Sequence, residues 1–366
     1  MPLPLILGAA ALASAAYGAK KGYNGRQKHS EADAIVKDAK NRYDQKRGIF
    51  DAQETATNSA LEVLGKEELS IGQRFNEFKT LADALLKKLN VGRQVKLEIN
   101  IPQHKLESVE SYSYTAIGVL GAAAGAGITG AATGFAIYGG VMVLGAASTG
   151  TAISSLAGVA ATNATLAAIG GGSLATGGLG MAGGTAILGA AVAGPVLAIV
   201  GWSYNSHGEA ALKNAHKAND EVDSAVKKLE KAQKQLGKTE DYASNILNVL
   251  KSVYVQFDNY FDILKAVASQ IDAAKVLKQD PQAVLTQLND TIMRAISNGY
   301  ALAAILVDLI TTPIFKVKHV NGEAVKDENG LPEMETDADG SMILNTDELD
   351  KEIRKATASA ACVEPA

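Results

Sequence analysis

The chain has 366 residues, a formal net charge of −4 and a single cysteine, Cys362, near its C-terminus. That length accommodates two or three domains. The near-neutral, slightly acidic balance argues against a nucleic-acid binder built on a dominant basic surface, and one thiol excludes an internal disulfide framework or a multi-cysteine metal site.

Mean hydropathy is close to zero, but only because charge is segregated. From Ser111 to Gly208 there is not one Asp, Glu, Lys or Arg, while both flanks are crowded with them. Five segments follow from this: an N-terminal apolar anchor with its basic flank (1–28), a first helical arm (29–110), an uncharged Gly/Ala-rich hairpin (111–208), a second arm with a bundle helix (209–313), and a small tail (314–366).

Residues 3–19 are apolar and alanine-rich, and Lys20, Lys21, Arg26 and Lys28 follow them. The positive-inside rule puts such a cluster on the cytoplasmic side, so a retained anchor is expected, in the cytoplasmic membrane with the helical arms facing the cytoplasm. A cleaved signal, with Ala13-Ser14-Ala15 as its cleavage site, and a surface or buried helix are the alternatives. The charge follows the apolar run instead of preceding it, and about 17 residues is the short limit for a span.

From His29 to Asn90 the pattern is helical. Leu61, Leu64, Ile71, Phe75, Phe78, Ala82, Leu85 and Leu89 follow steps of three and four, interrupted where Glu68 takes a seam position. That spacing keeps one stripe facing a partner helix, with bends expected at Gly48, Gly65 and Gly72. Residues 94–101 alternate polar and apolar, as a brief strand or an extended link would.

The uncharged stretch runs to roughly a hundred residues, several times the approximately 20 needed for one bilayer crossing. A water-soluble domain of that length needs charge on its solvent face. Gly121 with Gly125, Gly130 with Gly134, and Gly180 with Gly184 form G-x-x-x-G pairs, the spacing that lets two helix backbones approach closely in lipid. Gly170-Gly171-Gly172 divides the stretch. Tyr112 and Tyr114 stand at one end and Trp202 and Tyr204 at the other, so both ends are expected at one membrane interface, as in a hairpin. The competing interpretation is the buried core of a soluble bundle, in which so many glycines would weaken the helices.

Beyond it, Leu212, Ala215, Val222, Val226, Leu229 and Leu236, then Ala243, Leu247, Leu250, Tyr254, Phe257, Phe261, Leu264, Ala268 and Ile271, keep one heptad register, with Asn219, Gln233 and Glu240 as polar exceptions. A helix from Glu209 to Val276 would be about 100 Å long, with Gly237 its expected weak point. Asp280-Pro281 is an N-cap followed by proline at the first helical position, opening a helix that Pro313 ends. Its later part is apolar apart from Asp308 and too short to span convincingly, so it is expected to complete the bundle. In the tail, Asn321-Gly322 and Asp339-Gly340 are turn signals, and Asn345 with Glu348 marks the cap of a terminal helix.

Gly125–Gly130 and Gly178–Gly183 each match G-x-G-x-x-G, but a dinucleotide fold requires an acid roughly 20 residues on, and none occurs before Glu209. Glu335, Asp337, Asp339 and Gly340 resemble the front of a calcium loop, yet Thr346 occupies the position of the bidentate Glu. His207 and His216 lie nine positions apart and do not share the helical face of a metal pair. No enzyme, cofactor or metal is therefore expected.

Two heptad-patterned arms around an apolar, glycine-rich hairpin resemble the layout of α-helical pore-forming toxins of the cytolysin and tripartite enterotoxin type, over roughly residues 30–277. The resemblance is of architecture and transfers no residue role. It implies an all-α fold, an elongated antiparallel coiled-coil-like bundle with a membrane hairpin and a small C-terminal β-containing appendage. The partners expected are a lipid bilayer, further copies of the chain, and a protein engaged through the arms; nucleic acid is not. The N-terminal anchor departs from a secreted toxin and suggests an intracellular effector. The alternative function is a constitutive membrane scaffold whose coiled coil recruits other proteins.

Overall fold

The computed structural model describes residues 22–89, 101–123, 132–137, 208–325, 332–338 and 340–364. The N-terminal anchor, the strand or link at 94–100 and most of the uncharged stretch lie outside these. Helix dominates: α1 (Gly22–Leu89), α2 (Gln103–Ala123), α3 (Gly208–Val276), α4 (Pro281–Gln287), α5 (Asn289–Ile310) and α6 (Thr346–Ala361), with two two-residue strands, β1 (His319–Val320) and β2 (Glu323–Ala324). Contacts divide the chain into two units, one holding residues 1–55 and 188–237, the other 56–187 and 238–366. Both long helices contribute to each unit.

In the first unit, Ala32 packs with Ala211 and Ala215, flanked by Ile35, Val36 and Leu212. Further along, Phe50 packs with Leu229, Ala232 and Leu236. Between these clusters Arg42 donates to Asp223 and to Asn219, and Lys46 pairs with Glu230 at 2.6 Å. Asn219, a polar exception in the heptad pattern, thus accepts a hydrogen bond from the facing arm.

These pairs advance together along both helices, so α1 and α3 are parallel within this unit. The second unit repeats the direction: Arg74 meets Asp258 at 2.9 Å, and Lys88 faces Asp272. The antiparallel expectation is corrected. It assumed that a hairpin alone separates the arms, whereas α2 already makes one reverse pass along α1. Lys79 pairs with Glu110 at 3.4 Å, and Gly72 lies against Ala116 further along α2.

The stripe on α1 holds: Leu61, Leu64, Ile71, Phe75, Phe78, Ala82, Leu85 and Leu89 are all buried, and so is Glu68. On α3 one seam holds, through Ala215, Val222, Leu229, Leu236, Ala243, Leu250, Phe257, Leu264 and Ile271. The second seam is displaced by one residue. Ala211, Ala218, Ala225 and Ala232, then Ile246, Val253, Tyr260 and Val267, are buried, where the heptad pattern favoured Leu212, Val226, Leu247 and Tyr254; Phe261 is buried as that pattern expected. From Ala211 to Ala232 small side chains admit a close neighbour, while Leu212 and Val226 beside them remain only partly covered. Neither Gly48 nor Gly237 interrupts its helix.

The second unit has an aromatic core fed by four elements. Phe75 and Phe78 of α1 contact Phe257 of α3 at ring separations of 5.2 and 5.1 Å, Phe78 meets Tyr300 of α5 at 5.1 Å, and Phe75 meets Tyr112 of α2 at 6.2 Å. Such pairs contribute about 0.5–1.5 kcal/mol each beyond their buried area. The Arg74 guanidinium lies 4.8 Å from the Phe261 ring while bonding Asp258.

Asp280 caps α4, its Oδ1 accepting from the backbone N–H of Gln282 at 2.9 Å, with Pro281 in the first turn. Replacing Asp280 by Ala should destabilise the protein by about 1 kcal/mol, and hydrogen exchange confined to α4 would reveal it; an unchanged exchange rate would make the cap irrelevant. α5 is long and apolar enough to cross a membrane by length and composition, but 56% of that stretch is buried inside the protein. Its Asp308 accepts from Lys105 of α2 and from Lys355 of α6. That ties the acid to two neighbouring helices.

The tail is β-containing. Asn321 and Gly322 both have positive φ, 54° and 86°, as the turn joining β1 and β2 requires. Isolated bridges pair Phe315 with Leu344, Val317 with Met334 and Thr336 with Met342. Asn345 stands at the N-cap of α6 but makes no side-chain cap bond; its amide donates to the carbonyl of Pro313 at 3.2 Å.

Candidate functional site

Apart from Gly208, the first residue of α3, the described part of the uncharged stretch is residues 111–123 and 132–137, and both pieces dock on α1 inside the second unit. Gly65 and Gly72, seven apart on α1, form the receiving surface. A Cβ on Gly65 would overlap the carbonyl oxygen of Ala132, and one on Gly72 would overlap Ala116 Cβ and lie 3.1 Å from the Tyr112 ring. These glycines allow backbone approach, and α1 runs unbroken through both.

Two hydrogen bonds fasten the contact. Tyr112 Oη donates to the carbonyl of Glu68 at 2.6 Å, and Ser113 Oγ donates to the carbonyl of Gly72 at 3.0 Å. Phe135 closes on Tyr112 with ring centroids 5.9 Å apart. Tyr112, Ala116, Val119, Ala132 and Phe135 are all essentially inaccessible.

Two polar groups under this dock are poorly served. The hydroxyl of Ser111 is buried without a hydrogen-bond partner, which on average costs about 1–3 kcal/mol. Glu68 is 3% exposed, and burial alone pushes its carboxyl well above the usual range. It is the one buried carboxylic acid among the described residues. In the sequence its one distinguishing mark is that it interrupts the apolar stripe of α1.

Beside the dock, Phe75, Lys79, Asp83, Leu106, Val109 and Tyr300 line part of a crevice of about 250 Å³. Lys79 sits between Asp83 at 3.3 Å and Glu110 at 3.4 Å, stitching α2 to α1.

Of the residues singled out in the sequence, Tyr112 is a core residue here, not an exposed aromatic, because α1 and the 132–137 segment enclose it. Tyr114, two positions on, is 47% exposed. Gly134 is buried with its helical segment, while Gly121 is exposed and has open space around its Cα. Gly125, Gly130, Gly180, Gly184, Trp202 and Tyr204 lie outside the described residues. Asp337 accepts from the N–H of Ser341 at 3.0 Å, the arrangement of a turn. No group of three or more potential metal ligands occurs among the described residues. No known protein family, curated protein or solved structure matches the chain.

Proposed function

We propose that the protein is a membrane-inserting effector that oligomerises and, through residues 111–208, permeabilises or remodels a bilayer. The observation that carries this is the complete absence of Asp, Glu, Lys and Arg over those residues, a length of chain that lipid or other protein must cover. The dock on α1 supports a resting form in which the front of the stretch is covered by the protein itself. Release would exchange that cover for hydrocarbon, and the G-x-x-x-G pairs would then pack helix against helix. The basic flank at Lys20, Lys21, Arg26 and Lys28 favours the cytoplasmic membrane, with the arms in the cytoplasm.

Purified protein added to dye-filled liposomes should release the dye, and replacing Gly121, Gly125, Gly180 and Gly184 together by Leu should abolish release. Absence of leakage at any pH or lipid composition overturns the proposal. Carbonate extraction separates the scaffold alternative, which leaves freshly made protein wholly in the membrane, from triggered insertion, which leaves part of it soluble.

A further inference from the structure

The end of α3 presents an apolar surface that stands open to solvent, with no described element packed over it. Val276 and Leu277 are 83% and 67% exposed, more than any other large hydrophobic residue described. Every residue from Lys275 to Asp280 is exposed. The turn is nonetheless well held: Leu277 N–H donates to Ala273 at 3.0 Å and Gln279 N–H to Ala274 at 2.8 Å. Lys278 adopts φ 56°, at the helix-end position where glycine is usual.

The surroundings are basic. Lys87 and Lys88 end α1, and the carbonyl of Lys88 accepts from Gln282 of α4 at 3.4 Å, which brings this helix end to the same corner of the second unit. The local acids are already engaged: Asp272 pairs with Lys275 at 2.7 Å and faces Lys88, and Asp280 caps α4. Lys87 and Lys278 make no ion pair with another described residue.

We infer that this knuckle, Val276 and Leu277 set among Lys87, Lys88, Lys275 and Lys278, docks on an anionic lipid surface. Two branched side chains at the crest reach the acyl boundary while lysines engage headgroup phosphates, the combination that peripheral membrane segments use. A lysine in place of the usual helix-end glycine adds charge at the crest. The contact is separate from insertion of residues 111–208, because it needs neither release of α2 nor a breach of the bilayer.

The test uses the full chain with Cys362→Ser, which removes the exposed native thiol, and Leu277→Cys carrying an environment-sensitive fluorophore. Vesicles containing phosphatidylglycerol should blue-shift and brighten the probe, and a probe at Val255→Cys, also on α3 in the second unit, should stay unchanged. The Val276→Ser/Leu277→Ser variant should bind those vesicles about tenfold more weakly, and each of Lys87→Gln and Lys278→Gln about fivefold more weakly. Failure to bind these vesicles, a silent probe on bound protein, or equal binding to pure phosphatidylcholine vesicles overturns the inference. Dye-filled vesicles in parallel distinguish the two events: docking alone leaves them sealed, so loss of leakage with a responsive probe removes the insertion proposal and leaves this one standing.

Discussion

Gly65→Ala should destabilise the second unit by about 2–3 kcal/mol, the upper range for overpacking a well-filled contact, and should loosen the 132–137 segment before anything else. The added carbon overlaps a main-chain carbonyl of Ala132, and a main-chain atom cannot rotate away as a side-chain tip can. Gly72→Ala meets the Cβ of Ala116 with the same result. The identical change at Gly48, where nothing lies within 4 Å, should stabilise by about 0.5–1 kcal/mol, since glycine inside a helix is inferior to alanine. Urea unfolding gives the signs, and hydrogen exchange locates the loosening, over 132–137 for Gly65→Ala and over 103–123 for Gly72→Ala. If all three substitutions stabilise, α2 is not docked as described. On the proposed function, the two damaging variants should also leak liposomes at lower protein concentration than the parent.

Glu68→Gln should stabilise the protein at pH 7.5, because the amide enters the buried site neutral, whereas the carboxylate of the unfolded chain must first take up a proton. The native carboxyl keeps its proton to a higher pH than the same group in the unfolded chain, because burial disfavours its charge. Between the ordinary Glu range and the elevated native value, the folded state therefore binds more protons. Stability falls as pH rises across that window, at a limiting slope of about 1.4 kcal/mol per unit. Below about pH 4.5 both states are protonated, so the advantage of glutamine should disappear there. Denaturant midpoints at pH 4.5 and 7.5, for the parent and Glu68→Gln, decide the matter. Equal pH slopes in the two proteins would mean that Glu68 is hydrated. Glu68→Leu should stabilise as well, because an apolar group in this seam removes the desolvation penalty.

The stripe on α1 could be read from sequence because large residues, Leu61 through Leu89, mark it with little competition. The second seam of α3 could not, since Ala211, Ala218, Ala225 and Ala232 signal weakly beside Leu212 and Val226, and only a close neighbour makes alanine the better choice. Helix direction was equally hidden: heptad spacing is the same for parallel and antiparallel partners, and the reverse pass of α2 has no local signature. The position of Tyr112 at the edge of an uncharged run suggested an interface aromatic. Its hydroxyl is instead claimed by the carbonyl of Glu68, 44 residues away, and its ring by Phe75 and Phe135. The two turns of the tail were legible because Asn321-Gly322 and Gly340 carry the positive φ that their residue types announce.

The pairing of α1 with α3 joins residues 181 and 184 positions apart, as in Arg42 with Asp223 and Arg74 with Asp258. During synthesis α1 emerges long before its partner exists. At about 5–20 residues per second, the ribosome needs on the order of ten seconds or more to deliver α3, and throughout that interval the uncharged residues emerge without it. A nascent chain therefore passes through an interval in which its uncharged segment must be kept covered without α3, and the speed of translation sets how long that interval lasts.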